Sequence, residues 1–203
     1  MSAEGPHRKP GSDAAAPTGS WMLAHLLGLF PRDGIAPEDL EPIDARDMPD
    51  PYHRLLVHEE HMTVTLEEHH KSRVDLVVLE RRHVGDDYAR RLILTAGPGG
   101  KVVLAGIMRL QLASAGDLVR RRVVEEGAPL GRILIEHDIL RVIKPLVYLR
   151  VRMSPGLAEL FHAPPGVQFT YGRVAGITCS TRGAPRATEP AVELLEIVSP
   201  EIS

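Results

Sequence analysis

The chain has 203 residues, 24 basic and 27 acidic side chains, a net charge of −3 and only 4% aromatic residues. That balance excludes a nucleic-acid binder led by bulk charge, and the scarcity of aromatic faces excludes a base-stacking platform. The single cysteine, Cys179, excludes an internal disulfide framework and any Cys-cluster metal site.

Residues 1–19 are rich in Gly, Pro, Ala and Ser without periodicity, and are expected to form a disordered tail ahead of one domain over 20–203. Ser20 is placed to cap a short helix through Phe30, which Pro31 stops. That stretch, Trp21–Phe30, is the longest strongly apolar run and is far too short for a membrane span. His7-Arg8-Lys9 precedes it, but Pro31-Arg32-Asp33-Gly34 follows in place of a small-residue cleavage site, so a cytoplasmic location is expected. Residues 31–50 are proline-rich and acidic and read as a loop or wrap-around arm. Asp50-Pro51 predicts a helix start, with Asp50 as cap and the helix running to about His61 or beyond.

From Val74 the pattern turns to strands. Val74–Val84, Tyr88–Ala96 and Lys101–Leu112 follow one another through Gly85-Asp86-Asp87 and the hairpin turn Gly97-Pro98-Gly99-Gly100. Ser114-x-x-Asp117 resembles a capping box opening a helix that ends at Gly127. Pro129-Leu130-Gly131 forms a corner into a short apolar piece, Ile133–Ile135. Ile139–Arg152 reads as a strand, Ser154–His162 as a short helix, and Gln168–Thr181 and Ala191–Ser199 as two more strands joined by the turn region Gly183–Pro190. The fold class is α+β: an antiparallel sheet of about six strands with inserted helices.

Strand parity singles out two charges. Arg90 shares its face with Leu92 and Leu94, and Glu196 shares its face with Val192, Leu194 and Val198. Each interrupts an apolar row, and a charge removed from water costs several kcal/mol unless paired. They either line a polar cleft, where Arg90 would hold a carboxylate bidentately, or pair structurally, or sit at strand ends. Glu193 is the competing register for Glu196.

Other strings have plainer readings. His58-Glu59-Glu60-His61 has i,i+3 spacing rather than the i,i+4 of a zinc-protease helix; with His69 and His70 a four-His cluster is conceivable, but a polar helix face explains it and no metal is expected. Gly97-Pro98-Gly99-Gly100-Lys101 lacks the Walker spacing and joins strand to strand. Cys179 reads as a small buried hydrophobe, and Arg120-Arg121-Arg122 as a solvated helix face. At Pro129-Leu130-Gly131-Arg132, Pro fixes the turn and Gly permits close backbone approach; the string is either a plain corner or a place where the N–H groups of Leu130 and Gly131 face an anion.

In order, several strings resemble the chorismate pyruvate-lyase family. They are Met62-Thr63-Val64-Thr65-Leu66-Glu67, Tyr88-Ala89-Arg90-Arg91-Leu92-Ile93-Leu94, Leu104-Ala105-Gly106, Pro129-Leu130-Gly131-Arg132, Tyr171-Gly172-Arg173 and Leu195-Glu196-Ile197-Val198-Ser199-Pro200. Their order and approximate spacing agree over residues 55–200. The resemblance implies an antiparallel sheet with helical flaps over a buried ligand. It also implies conversion of chorismate to 4-hydroxybenzoate and pyruvate, with no metal or organic cofactor. By the same resemblance Arg90 would bind the ring carboxylate, with hydrogen bonds from the N–H groups of Leu130 and Met62. Glu196 would contact the hydroxyl end and assist proton movement, so Arg90 and Glu196 would be the catalytic pair. Met62, Arg90, Leu130, Gly131 and Glu196 would bind the substrate. The expected partner is a small aromatic or enolpyruvyl acid, with neither nucleic acid nor a membrane. Ala89 before the arginine, Ile197-Val198-Ser199 after the glutamate and a long 139–170 segment depart from the family pattern.

Two alternatives to an enzyme stand beside this reading. One is a non-catalytic binding module, since the fold resembles the effector-sensing domains of some bacterial transcription regulators; residues 1–60 show no winged helix-turn-helix of the kind that precedes such sensors. The other is a structural domain in which Arg90 and Glu196 are simply paired.

Overall fold

The structure is a computed structural model of the chain and describes residues 18–31, 35–180 and 190–201. Its frame is a seven-stranded, wholly antiparallel sheet in the order β1-β5-β6-β7-β4-β3-β2. The strands are β1 (Leu40–Ile43), β2 (Val74–Val84), β3 (Asp87–Ala96), β4 (Lys101–Gln111), β5 (Leu140–Arg152), β6 (Phe169–Ser180) and β7 (Val192–Val198). The antiparallel α+β architecture is as the sequence implies, with one strand more than expected.

That extra strand is β1, which pairs with the edge of β5 inside the segment read as an arm. Four residues containing Pro42 carry too little alternation to be recognised, and proline is tolerated there because β1 is an edge strand. The expected single helix from Pro51 is two: α2 (Tyr52–Leu56), preceded by a cis Asp50–Pro51 peptide, and α3 (Met62–His70). The short α1 (Gly19–Leu29) is capped by Thr18, whose hydroxyl accepts from the Trp21 N–H at 3.4 Å, two residues earlier than Ser20.

The capping box does not form. Ser114 lies in a 3-10 turn and its hydroxyl meets Gln111 instead, so α4 runs Asp117–Val124 with Gly116 at its cap. Ile133–Ile135 belongs to a further helix, α5 (Leu130–Glu136), which starts directly after Pro129. The helix α6 (Pro155–Phe161) is capped by the Ser154 hydroxyl as its sequence suggests. The Gly97-Pro98-Gly99-Gly100 hairpin closes between β3 and β4, with Gly97 and Gly100 at φ of 72° and 62°, values that other residues adopt poorly. The tail 1–17 and most of the Gly183–Pro190 turn lie outside the described residues. Among the described residues no helix is long and apolar enough to cross a membrane.

Both faces of the sheet are covered. Alternate residues of the central strands feed two cores: Leu195, Ile197, Ala105 and Ile107 pack under α1 and α6, whereas Leu104, Met108, Val192 and Val198 face α2 to α5. Two long connections cross that second face. Residues 48–73 carry α2 and α3 from β1 at one edge to β2 at the other, and residues 112–139 carry α4 and α5 from central β4 back to β5. Where the helical coverings meet above the middle of the sheet, they enclose a cavity.

Candidate ligand-binding site

The cavity is small, about 60 Å³. Its floor is mostly aliphatic, with Leu92, Leu94, Leu104 and Met108 among the contributors, and its polar groups are few. All five residues expected to bind a ligand line it: Met62, Arg90, Leu130, Gly131 and Glu196. The structure adds Arg173, His61 and Thr63 to them.

Arg90 projects from β3 beside Tyr88, Leu92 and Leu94, the face that parity assigned it. Its residue is 1% exposed, and among the described residues no carboxylate lies in ion-pair reach of it. One guanidinium nitrogen donates to the Val123 carbonyl of α4 at 3.4 Å, while Nε has no hydrogen-bond partner among the described residues. Burial pushes its pKa down, opposed by Tyr88 and, more weakly, Glu126. A buried cation without a counter-ion is costly, and a bound anion would relieve it. Beside it Tyr88 donates its hydroxyl to Glu126 Oε1 at 2.6 Å, fastening β3 to the end of α4; burial first and this bond second push the Tyr88 pKa up to about 12.

Glu196 stands two strands away, since Arg90 pairs with Met108 of β4 and Met108 with Leu194 of β7. That is two strand spacings across and two residues along, roughly 12 Å between Cα atoms. The two charges therefore occupy different ends of one cavity and do not pair with each other. The partner of Glu196 is its cross-strand neighbour Arg173, whose Nε donates to Oε2 at 2.7 Å. Its other cross-strand neighbour is Gly106, where a Cβ would come within 2.7 Å of the Leu195 carbonyl. Glycine there leaves the cavity open beside Glu196. Glu193, the competing register, lies on the opposite face, bound to Arg109 and His25 at 2.9 Å each.

The mouth is made by two helix starts. Neither α3, beginning at Met62, nor α5, beginning at Leu130, has a side-chain cap. They approach closely because Gly131 has no side chain; a Cβ there would stand 2.7 Å from Thr63 Oγ1 and 3.3 Å from His61 Cβ. Arg132 secures this junction, donating to Glu67 of α3 at 2.5 Å and to the Val74 carbonyl of β2 at 2.9 Å. The Pro-Leu-Gly-Arg string thus fixes one helix against another, with its backbone at the cavity.

His61, just before α3, is 6% exposed, and its Nε2 accepts from Arg141 Nε. Burial, then Arg141 and Arg173, lower its pKa to about 4, so the ring is neutral at pH 7. Parity would have found Arg173, which shares the Tyr171, Ala175 and Ile177 row of β6. Nothing in the sequence places His61 at the cavity, because it sits in a link between helices. Cys179 is half-buried and its thiol pKa is raised by burial, so it stays protonated.

No protein-family model matches the chain, and no curated protein matches it. Solved structures do. The ligand-binding domain of a regulator assigned to the GntR family from Bordetella bronchiseptica is 17% identical, with a TM-score of 0.38 over 62% of this chain and 85% of that one. PhnF from Mycobacterium smegmatis is 12% identical, with a TM-score of 0.46 over 80% of this chain and 74% of that one. A GntR-family transcriptional regulator from Bacillus cereus is 12% identical, with a TM-score of 0.38 over 64% of this chain and 93% of that one. The expectation of a chorismate lyase is corrected: two of these similar structures are described as a GntR-family regulator and the ligand-binding domain of one, and none as a lyase. Glu196, expected to assist proton movement, lies in an ion pair with Arg173.

Proposed function

We propose that this domain binds a small organic acid, of the aromatic carboxylate type, without transforming it. The observation that carries the reading is Arg90, a guanidinium 1% exposed in the wall of an aliphatic cavity with no carboxylate in reach among the described residues. A planar fork of donors in a dry wall favours a carboxylate, and the aliphatic floor favours a flat apolar body behind it. The uncapped start of α3 at Met62 adds N–H groups and a positive dipole end at the mouth. At the far end, the Arg173–Glu196 pair offers a polar contact to a hydroxyl or similar substituent.

Binding without turnover is favoured because the candidate proton carriers are engaged. Glu196 faces Arg173, and the His61 nitrogen that could take a proton accepts from Arg141. Arg90 also touches the Val123 carbonyl of α4, so a ligand that recruits the guanidinium would be felt by the α4–α5 covering. The test compares 4-hydroxybenzoate with its uncharged amide by calorimetry. Saturable one-to-one binding of the acid, with the amide at least about tenfold weaker, supports the reading. Equal binding of both, or binding of neither acid nor other small carboxylates, refutes it.

A further inference from the structure

We propose that His69, His70 and Glu201 form a binding site for a divalent transition-metal ion of the zinc type, separate from the Arg90 cavity. One ligand atom from each residue lies within 4.8 Å of the other two. His69 and His70 end α3, with ring centroids 4.7 Å apart and planes nearly perpendicular, at 89°. Glu201 follows β7, and its main-chain N–H donates to the Tyr52 hydroxyl at 2.8 Å, which fixes where its side chain starts. Its Oε2 lies 3.3 Å from His69 Nε2.

Two potential ligand atoms here are orphans. His70 Nε2 and Glu201 Oε1 are both buried, and neither has a hydrogen-bond partner among the described residues. Buried polar atoms are nearly always paired, so two orphans from different parts of the chain, beside a third donor, point to a bound species that pairs them. Two imidazoles with one carboxylate suit zinc, nickel, cobalt or copper; magnesium and calcium prefer all-oxygen shells. Three protein ligands also leave the fourth position of a tetrahedral ion for water. Access exists, because the His69 side chain is 29% exposed and that of Glu201 17%. An ion here would clamp the last turn of α3 to the segment after β7, joining the helix that begins at the cavity mouth to the strand that carries Glu196.

The experiment is calorimetric titration of the full chain, carrying no affinity tag, with zinc chloride and with magnesium chloride as control. Glu201→Gln and His69→Gln are titrated alongside, and circular dichroism checks their fold. One zinc per chain, no magnesium binding, and a loss of more than about tenfold in each variant are expected, since losing an outer-shell partner alone costs about that much. Glu201→Gln keeps the shape of the side chain, so it remains a test if His69→Gln fails to fold. The absence of saturable zinc binding overturns the proposal. So does binding unchanged in Glu201→Gln, which would assign the heat to scattered surface imidazoles.

Discussion

Arg173 and Glu196 face each other across β6 and β7, and their 2.7 Å ion pair holds down more than the sheet. A second nitrogen of Arg173 donates to the carbonyls of Leu56 and His58, at 3.0 Å and 2.9 Å. One buried arginine thus ties the link between α2 and α3 to the sheet at the cavity's polar end. Glu196→Ala would leave that cation without its counter-ion at 1% side-chain exposure. A loss of about 3–5 kcal/mol in unfolding free energy is expected, read by urea denaturation. A loss below about 1 kcal/mol would show that the pair is not what secures this end.

The mouth depends on the absence of a side chain at Gly131. Gly131→Ala forces Thr63 or His61 aside and is expected to cost about 1–3 kcal/mol. Gly28→Ala, in α1, is the matching control: a Cβ there meets nothing within 4 Å. Helix propensity alone should make that variant up to about 1 kcal/mol more stable. Equal effects at the two sites, measured by thermal unfolding, would contradict the close approach of α3 and α5.

His61 makes stability depend on pH. Its folded pKa, about 4, lies below its ordinary 6.5, so the unfolded chain binds more protons between those values. Its contribution is therefore intact above about pH 6.5 and is lost as pH falls through about 4, at most about 3 kcal/mol in all. His58 and His70, both lowered chiefly by burial, act in the same direction. His61→Gln, which retains an acceptor for Arg141, should flatten the slope of stability against pH in that window without abolishing it. An unchanged slope in denaturation measured from pH 4 to 7 would show that His61 does not carry it.

The strands and the two key charges were legible because strand parity is local. Arg90 and Glu196 betray themselves as charges in apolar rows, and the cavity lies on the face those rows share. The partner of Glu196 was not legible as such, although Arg173 interrupts its own row in the same way, because cross-strand register is set by distant pairings. The helices were harder. The cap position shifts among neighbouring residues, to Thr18 rather than Ser20 and to Gly116 rather than Ser114. The Ile133–Ile135 piece becomes a helix through its setting after Pro129, against α3 and α4. His61 and Glu201 gain their surroundings only when α3 is laid across the sheet.

The most direct test of the central reading is calorimetric titration of 4-hydroxybenzoate into the wild-type chain and into Arg90→Met, with stability measured in parallel. Removing a buried cation with no carboxylate in ion-pair reach among the described residues should leave unfolding free energy unchanged or raise it by about 1 kcal/mol, while affinity falls about 100-fold. Undiminished binding in Arg90→Met, or a variant that binds nothing because it no longer folds, would contradict an arginine held in readiness for an anionic ligand.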